Sequence, residues 1–312
     1  MSGSRTDATR EHHRLDRLPV RRRFDEVECT ISHLLRRPHP ALGGRTYGEA
    51  LLQGAAARGL QPGSGGVLEI GGGAGHIAEA AWRGDAGPFT GVPWTSLDLS
   101  RRLLAAQRAR LGADGKAGPH RRWRGVCADA VHLPLRDRSF TGLVLANEVV
   151  ADLPVVAGRN AGALELVAEI ARVLAPGGSA LLTEFGGDFA PGAVNLFAAG
   201  GEGEHVEWSI DFRDLRGAAK NAGLEPVELP LHELLGADLT QRVASYTDLW
   251  RLRRFTSEDV IAAPAQEIRA RHPWLSRLLA LELPELGSPH WPDATAPAGF
   301  AQLFRALLLR RR

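Results

Sequence analysis

The sequence predicts an α/β protein built on a doubly wound, mostly parallel sheet. Between residues 67 and 184, short apolar runs alternate with amphipathic segments of helical period. A glycine-rich turn at residues 71–75 directly follows the first apolar run. Hydrophobic residues make up 44% of the 312 positions, enough for a sizeable core. Because parallel strands need crossover connections, this alternation favours helices on both faces of a parallel sheet.

Each element of this region follows from its own pattern. Apolar runs predict strands at residues 67–70, 95–97, 123–127, 142–146, 180–184 and 224–231. Apolar residues spaced by three and four predict helices at residues 77–82, 101–111, 163–174 and 212–222. Pro176 and the two glycines after it end the third of these helices.

The two flanks differ from this central region. Residues 1–20 are polar and arginine-rich, so we expect a frayed start, followed by a helix over residues 24–35. Thr46 is placed to cap a second helix that ends near Gly59. The C-terminal flank shows helical fragments only, at residues 243–255, 257–270, 274–281 and 300–309. The last fragment could instead be an edge strand, although its spacing of three and four favours a helix.

These patterns divide the chain into three parts. Residues 1–44 form a flexible start with a helix. Residues 45–234 form the core, with an insertion near residues 188–212. Residues 235–312 form a mainly helical cap, which we expect to select the substrate.

Composition excludes several classes of protein. The chain has 38 basic and 36 acidic side chains, a net charge of +2, which argues against a dedicated nucleic-acid coat. No run approaches 18 apolar residues, so no membrane partner is expected, and the arginine-rich start has no apolar segment that would make it a secretory signal. The two cysteines, Cys29 and Cys127, lack metal spacing and fit a reducing cytoplasm.

The glycine-rich turn carries the strongest functional signal. A phosphate-binding Walker loop would end in Gly-Lys-Ser/Thr, which is absent. A dinucleotide fingerprint needs glycine at its sixth position, where this chain has His76. Glycines at 71, 73 and 75, after Glu69, resemble the first motif of class I S-adenosylmethionine (SAM) methyltransferases. Later segments of that family follow in order over residues 45–230, which implies a Rossmann-like, seven-stranded sheet and SAM as the cofactor.

The resemblance implies a set of cofactor-binding residues. Asp98, at the end of the second strand, is expected to accept hydrogen bonds from both ribose hydroxyls, although it could also cap a helix. Asp129 is expected at the adenine, or in a capping role. Glu69 is expected to order the loop by accepting backbone N–H bonds, and Asn147 to offer its carbonyl to the SAM ammonium. Tyr47 or Arg45 would bind the SAM carboxylate. The full set comprises Tyr47, Glu69, Gly71, Gly73, Gly75, Asp98, Leu99, Asp129, Ala130 and Asn147.

Candidates for catalysis follow the ends of the later strands, where open α/β sheets bind ligands. Glu148 follows the fourth strand and Glu184 the fifth, and His205 lies in the insertion. Each could act as a base if the acceptor must lose a proton. His205 is flanked by Glu204 and Glu207, but no second motif supports a metal site, so no metal is expected.

The resemblance therefore predicts an enzyme that transfers the SAM methyl group to a small molecule or a peptide. The Gly/Pro-rich composition, by itself, suggests bacterial specialised metabolism. The fold also permits transfer or cyclisation of the aminocarboxypropyl arm, or a SAM-binding partner protein without activity. The fourth strand lacks an Asn/Asp-Pro-Pro-aromatic motif, which disfavours a nucleic-acid substrate, although arginine runs such as residues 21–23 and 310–312 keep that alternative open. A homodimer is left open as well.

Overall fold

The computed structural model of the protein describes residues 36–112, 123–188, 191, 209–238, 270 and 304–312. Several predictions lie outside these residues. They are the helices at 24–35, 243–255, 257–270 (of which only Ala270 is described) and 274–281, together with His205 and most of the insertion. In the described part of the chain, no helix has the length and hydropathy that a membrane span requires.

Seven strands lie side by side in one sheet, in the order β3-β2-β1-β4-β5-β8-β7, and an eighth, β6, pairs with β5 beside this row. The pairs among β1 to β5 are all parallel, whereas β8 is antiparallel to both β5 and β7. The predicted doubly wound, mostly parallel sheet is thus confirmed. The strands are β1 (Val67–Ile70), β2 (Trp94–Asp98), β3 (Trp123–Cys127), β4 (Leu143–Asn147), β5 (Ser179–Gly187), β6 (Ile210–Asp211), β7 (Leu224–Pro230) and β8 (Phe304–Arg311).

Helices cover both faces of the sheet, because its strands alternate their side chains between two apolar clusters. Leu145 of β4 belongs to the cluster under the first helices, whereas its neighbours Val144 and Ala146 belong to the other. The described helices are α1 (Tyr47–Ala57), α2 (His76–Arg83), α3 (Arg101–Gly112), α4 (Ala161–Val173), α5 (Phe212–Asn221) and α6 (Leu231–Leu235). The sequence had predicted all of these except the short α6.

Helix α1 begins where the sequence predicts. Thr46 Oγ1 accepts a hydrogen bond from the backbone N–H of Glu49 (3.3 Å), and the Glu49 carboxylate accepts one from the N–H of Thr46 (2.8 Å). This reciprocal capping box satisfies two N–H groups that the helix itself leaves without partners. The other end of α1 packs tightly on α6, where a Cβ at Gly54 would clash with the Leu234 carbonyl.

The prediction of a helix at residues 300–309 was wrong, because residues 304–311 form strand β8. The edge-strand alternative was right about the strand and wrong about its place, since β8 lies between β5 and β7. The apolar run from Ala306 to Leu309 is buried on both faces, as expected for an inner strand. The core therefore takes one strand from residues 235–312, which the sequence predicts to form the cap.

Candidate cofactor and active site

A glycine loop joins β1 to α2 at the C-terminal edge of the sheet. Gly71, Gly73 and Gly75 have φ angles of 65°, 50° and 82°, in the left-handed region that side-chain-bearing residues rarely adopt. The Gly71 N–H donates to the Leu97 carbonyl of β2 (2.8 Å), and Gly75 immediately precedes α2. The loop thus presents bare backbone beside the N-terminus of a helix, where N–H groups attract negatively charged or polar ligand atoms.

Gln107 of α3 supports this loop from below, and the sequence analysis missed it. Its side chain is fully buried, and its Nε2 donates to the Gly73 carbonyl (2.8 Å). Among the described residues, its Oε1 has no hydrogen-bond partner. A detectable signal existed, since Gln107 lies on the same stripe as the buried Leu103, Leu104 and Leu111. A polar residue on an apolar stripe marks a position with a specific hydrogen-bonding task.

Glu69 lies under the loop, but its bonds differ from those predicted. Its carboxylate accepts hydrogen bonds from the Trp94 indole (2.8 Å) and the Ser96 hydroxyl (3.2 Å), both on β2, rather than from loop N–H groups. The residue is 1% exposed, and a Cβ at Gly72 would lie 2.6 Å from its Oε2. Burial raises the pKa of Glu69 from its ordinary value of 4.5 to about 7, against the opposing effect of the two hydrogen bonds.

This raised pKa predicts a pH-dependent contribution to stability. Between pH 4.5 and 7 the carboxyl is protonated in the folded protein and ionised in the unfolded chain, so the free energy of unfolding falls as the pH rises. Above pH 7 the free energy of unfolding stays lower by a constant amount, about 3 kcal/mol. Glu69→Gln keeps an acceptor for Trp94 and Ser96 without the charge. Denaturant unfolding at pH 5 and pH 8 should therefore show the variant gaining stability over the wild type at pH 8. If the difference in the free energy of unfolding between Glu69→Gln and the wild type were the same at both pH values, the raised pKa of Glu69 would be contradicted.

Asp98 ends β2 beside the glycine loop. The residue is 7% exposed, and its Oδ1 accepts a hydrogen bond from the Ser100 N–H (2.8 Å). The Ser100 hydroxyl in turn accepts from the Leu103 N–H (3.2 Å), so Ser100 caps α3. Leu99 lies between them, and its carbonyl is 3.5 Å from the Cys127 sulfur. Asp98 therefore lies at the predicted edge of the sheet, and its Oδ1 stabilises the turn between β2 and α3.

Asp129 and Ala130 follow β3 on the far side of β2. Asp129 is half-buried, and its Oδ1 accepts a hydrogen bond from the Val131 N–H (3.1 Å), which stabilises the turn after β3. Ala130 is buried. In the sheet order, Asp98 and Asp129 lie on one side of β1, whereas Asn147 lies on the other side, at the end of β4. The predicted contacts thus spread along one edge of the sheet.

Asn147 and Tyr47 bind each other, which changes the role predicted for Tyr47 and leaves the role predicted for Asn147 to its main-chain carbonyl. The Tyr47 hydroxyl and the Thr183 hydroxyl both donate to Asn147 Oδ1, each at 2.7 Å. Since a carbonyl oxygen has two lone pairs, this side-chain oxygen is saturated and only the main-chain carbonyl of Asn147 can still meet an ammonium. Tyr47 is 1% exposed, so its hydroxyl does not face a SAM carboxylate.

Arg45 also serves the fold. Its guanidinium donates to the Leu42 carbonyl (2.8 Å), to Gln53 Oε1 (2.9 Å) and to the Leu235 carbonyl (2.9 Å). The last of these bonds ties the segment before α1 to α6. The prediction that Arg45 could bind the SAM carboxylate is therefore replaced by a role in fixing α1.

Of the three catalytic candidates, Glu148 directly follows β4, and Glu184 lies within the neighbouring strand β5. Glu148 is half-buried and has a φ of 51°, a left-handed conformation that is unusual for a residue with a side chain. Glu184 is 3% exposed and accepts hydrogen bonds from the N–H groups of Ala151 (3.0 Å) and Phe185 (2.9 Å). Glu184 thus secures the turn after β4. The third candidate, His205, is outside the described residues.

A methyltransferase domain family matches residues 68–182, which run from β1 into β5. Residues 68–182 are thus similar in sequence to methyltransferase domains. Methyltransferase domains of this class use S-adenosyl-L-methionine, so the match implies SAM as the cofactor. The described residues fit it, because the left-handed glycines leave a cradle without side chains and Asp98 places a carboxylate at its side.

A curated relative and two solved structures are similar to this chain. A ubiquinone/menaquinone biosynthesis C-methyltransferase from Methylobacterium nodulans is 37% identical over 134 residues, which are 43% of this chain and 47% of the relative. The chain thus matches about half the length of this relative.

The solved structures share the fold at low identity. A protein named as a sarcosine dimethylglycine methyltransferase, from Galdieria sulphuraria, has a TM-score of 0.50 at 15% identity, with 85% of this chain and 84% of that chain covered. A phosphoethanolamine N-methyltransferase from Haemonchus contortus, bound to phosphomonomethylethanolamine and S-adenosylhomocysteine, has a TM-score of 0.50 at 16% identity. The superposition covers 95% of this chain and 61% of the Haemonchus contortus chain.

Proposed function

We propose that the protein is a SAM-dependent methyltransferase that acts on a small molecule or a peptide. One observation carries this proposal. The left-handed glycine loop after β1 and the Asp98 carboxylate after β2 lie side by side at the edge of the sheet where its parallel strands end. Ligands of open α/β sheets bind outside the carboxyl ends of the strands, so this pair is placed to hold an adenosine.

The sheet order gives the cofactor a direction. Asp98 would accept hydrogen bonds from the ribose hydroxyls, and Asp129, one strand further out, would lie at the adenine. The amino-acid arm of SAM then extends across the glycine loop toward β4, where Asn147 and Glu148 lie. The end of β4 is accordingly the place where the transferred methyl group would meet its acceptor.

SAM supplies an activated methyl group when it is bound, so the protein mainly has to position the acceptor and exclude water. Glu148 is the better candidate for a base than Glu184, because Glu184 already accepts hydrogen bonds from two backbone N–H groups at either side of its carboxylate. Glu148 would take a proton from the acceptor only if the acceptor must lose one for the reaction.

We propose that two segments of the chain choose the acceptor. Residues 189–208 connect the end of β5 to β6, and residues 239–303 connect α6 to β8, which begins opposite Phe185. Both therefore leave or rejoin the sheet at its ligand-binding edge. We propose that they make up the substrate-selecting part of the protein. The name of the curated relative suggests a quinone precursor as one acceptor class, and composition suggests bacterial specialised metabolism in the cytoplasm.

The sulfur product of the reaction tests the proposal. The full chain would be incubated with SAM and a panel of quinone-precursor, amine and carboxylate acceptors. S-adenosylhomocysteine that forms only with an acceptor is the expected result, and Asp98→Ala serves as the variant with a damaged cofactor site. Methylthioadenosine would instead support use of the aminocarboxypropyl arm. Binding of SAM without either product, across the panel, would favour a non-catalytic partner.

A further inference from the structure

A buried hydrogen-bond network connects α1 to the end of β4 and to the middle of the neighbouring strand β5. Asn147 stands at its centre and accepts hydrogen bonds from Tyr47 of α1 and Thr183 of β5, each at 2.7 Å. Its Nδ2 donates a longer bond to Glu148 Oε1 (3.4 Å). Tyr47 and Thr183 are at most 1% exposed and Asn147 is 8% exposed. The network is therefore shielded from water, where each of its hydrogen bonds matters more.

The chemistry of the partners fixes the direction of every bond in this network. Asn147 Nδ2 donates to Glu148 Oε1, so the NH₂ group of Asn147 faces the carboxyl group. The carboxamide oxygen then faces the two hydroxyls, and each hydroxyl must donate. Burial, followed by the nearby charge of Glu148, raises the pKa of Tyr47 well above 10, which keeps its hydroxyl protonated as this donor.

The network holds Glu148 in a backbone conformation that costs energy. A φ of 51° is unfavourable in a residue with a side chain and persists only where the surroundings enforce it. The N–H of Glu148 donates to the Thr183 carbonyl (2.9 Å). The Thr183 side chain therefore holds Asn147, and the Thr183 main-chain carbonyl holds Glu148. These two bonds fix the end of β4.

Helix α1 gives Tyr47 a rigid base. The capping box at Thr46 defines where the helix begins, and Arg45, immediately before it, bonds to the Leu235 carbonyl of α6 (2.9 Å). The close approach of Gly54 to Leu234 fixes the other end. Because α1 is held at both ends, the Tyr47 hydroxyl reaches Asn147 from a fixed position, although 100 residues separate the two in sequence.

We propose that Tyr47 and Thr183 are positioning residues that act through Asn147 to shape the site for the amino-acid arm of SAM. They would fix the Asn147 main-chain carbonyl and the Glu148 carboxylate, the two groups at the end of β4 that such an arm meets. The inference rests on the proposed function, because it takes the cofactor to lie with its adenosine over β2 and β3. It assigns Tyr47 a structural contact with Asn147 in place of a contact with the cofactor.

Three ligands separate this role from general damage to the fold. SAM and S-adenosylhomocysteine carry the amino-acid arm, whereas methylthioadenosine lacks it. In the full chain, Tyr47→Phe and Thr183→Val should each weaken binding of the two arm-bearing ligands about fivefold or more, the effect of one lost buried hydrogen bond. Binding of methylthioadenosine should change less than twofold. Thr183→Ser restores a hydroxyl donor and should recover most of the affinity for SAM.

Thr141→Val is the matched control. It also removes a hydroxyl that makes a side-chain hydrogen bond, to Ser64 (3.1 Å), but at the opposite edge of the sheet, before β4 begins. This variant should bind all three ligands as the wild type does. Equal weakening of SAM and methylthioadenosine by Tyr47→Phe, or no weakening at all, would overturn the inference. A wild-type protein that binds none of the three ligands would instead overturn the proposed function.

Discussion

Gly71→Ala is expected to abolish measurable SAM binding. Gly71 has a φ of 65°, which disfavours any residue with a Cβ by roughly 1–2 kcal/mol. A Cβ built there would also lie 2.8 Å from the Cβ of Val149 and closer still to one of its methyl groups, so the loop or the turn after β4 must move. Both are parts of the proposed cofactor site. Titration calorimetry with SAM should show at least a hundredfold loss of affinity, because the binding loop is displaced. Each tenfold change in affinity corresponds to about 1.4 kcal/mol of binding free energy.

Gly217→Ala provides the control for this experiment. Gly217 lies within α5, and a Cβ there would have no neighbour within 4 Å. Since alanine is favoured over glycine in a helix by about 1 kcal/mol, this variant should be slightly more stable and bind SAM normally. A folded Gly71→Ala protein that retains wild-type affinity would show that the glycine loop does not hold the cofactor.

Asp98→Ala is expected to weaken SAM binding strongly, although less than Gly71→Ala does. Hydrogen bonds to a charged group contribute about 1.5–3 kcal/mol, so losing the contacts with two ribose hydroxyls should weaken SAM binding by at least tenfold. The substitution also removes the acceptor for the Ser100 N–H. Calorimetry on Asp98→Asn separates the two effects, because asparagine keeps that acceptor but lacks the charge.

A pair of ligands makes this test specific for the ribose. The wild type should bind adenosine more tightly than 2′,3′-dideoxyadenosine, which lacks both hydroxyls. Asp98→Ala should bind the two ligands about equally, because the group that distinguishes them is gone. If the variant kept the preference of the wild type, the ribose contact would have to be assigned to another residue.

The first five strands could be predicted because each carries its signal locally. Residues 67–70 and 123–127 were predicted with the bounds that the structure shows, since each segment carries apolar or β-prone residues and ends at a turn. The glycine positions at 71, 73 and 75 were informative for the same reason. A left-handed backbone strongly favours one residue type, so the requirement is visible in the sequence itself.

The rest depended on contacts between distant parts of the chain. Residues 304–311 show a spacing compatible with a helix, and only the gap between β5 and β7 makes them a strand. Likewise, no local pattern shows that the Tyr47 hydroxyl is used by Asn147, or that the Glu69 carboxylate is used by Trp94. Tertiary context therefore decided which polar groups remain available to a ligand.

A crystal structure of the full chain with S-adenosylhomocysteine tests the central claim most directly. The account predicts density along the edge formed by β3, β2, β1 and β4, with the ribose hydroxyls within hydrogen-bonding distance of the Asp98 carboxylate. The adenine should lie toward Asp129, and the amino-acid arm should reach the Asn147 main-chain carbonyl. An adenosine bound elsewhere, or a site that stays empty at saturating ligand, would contradict it.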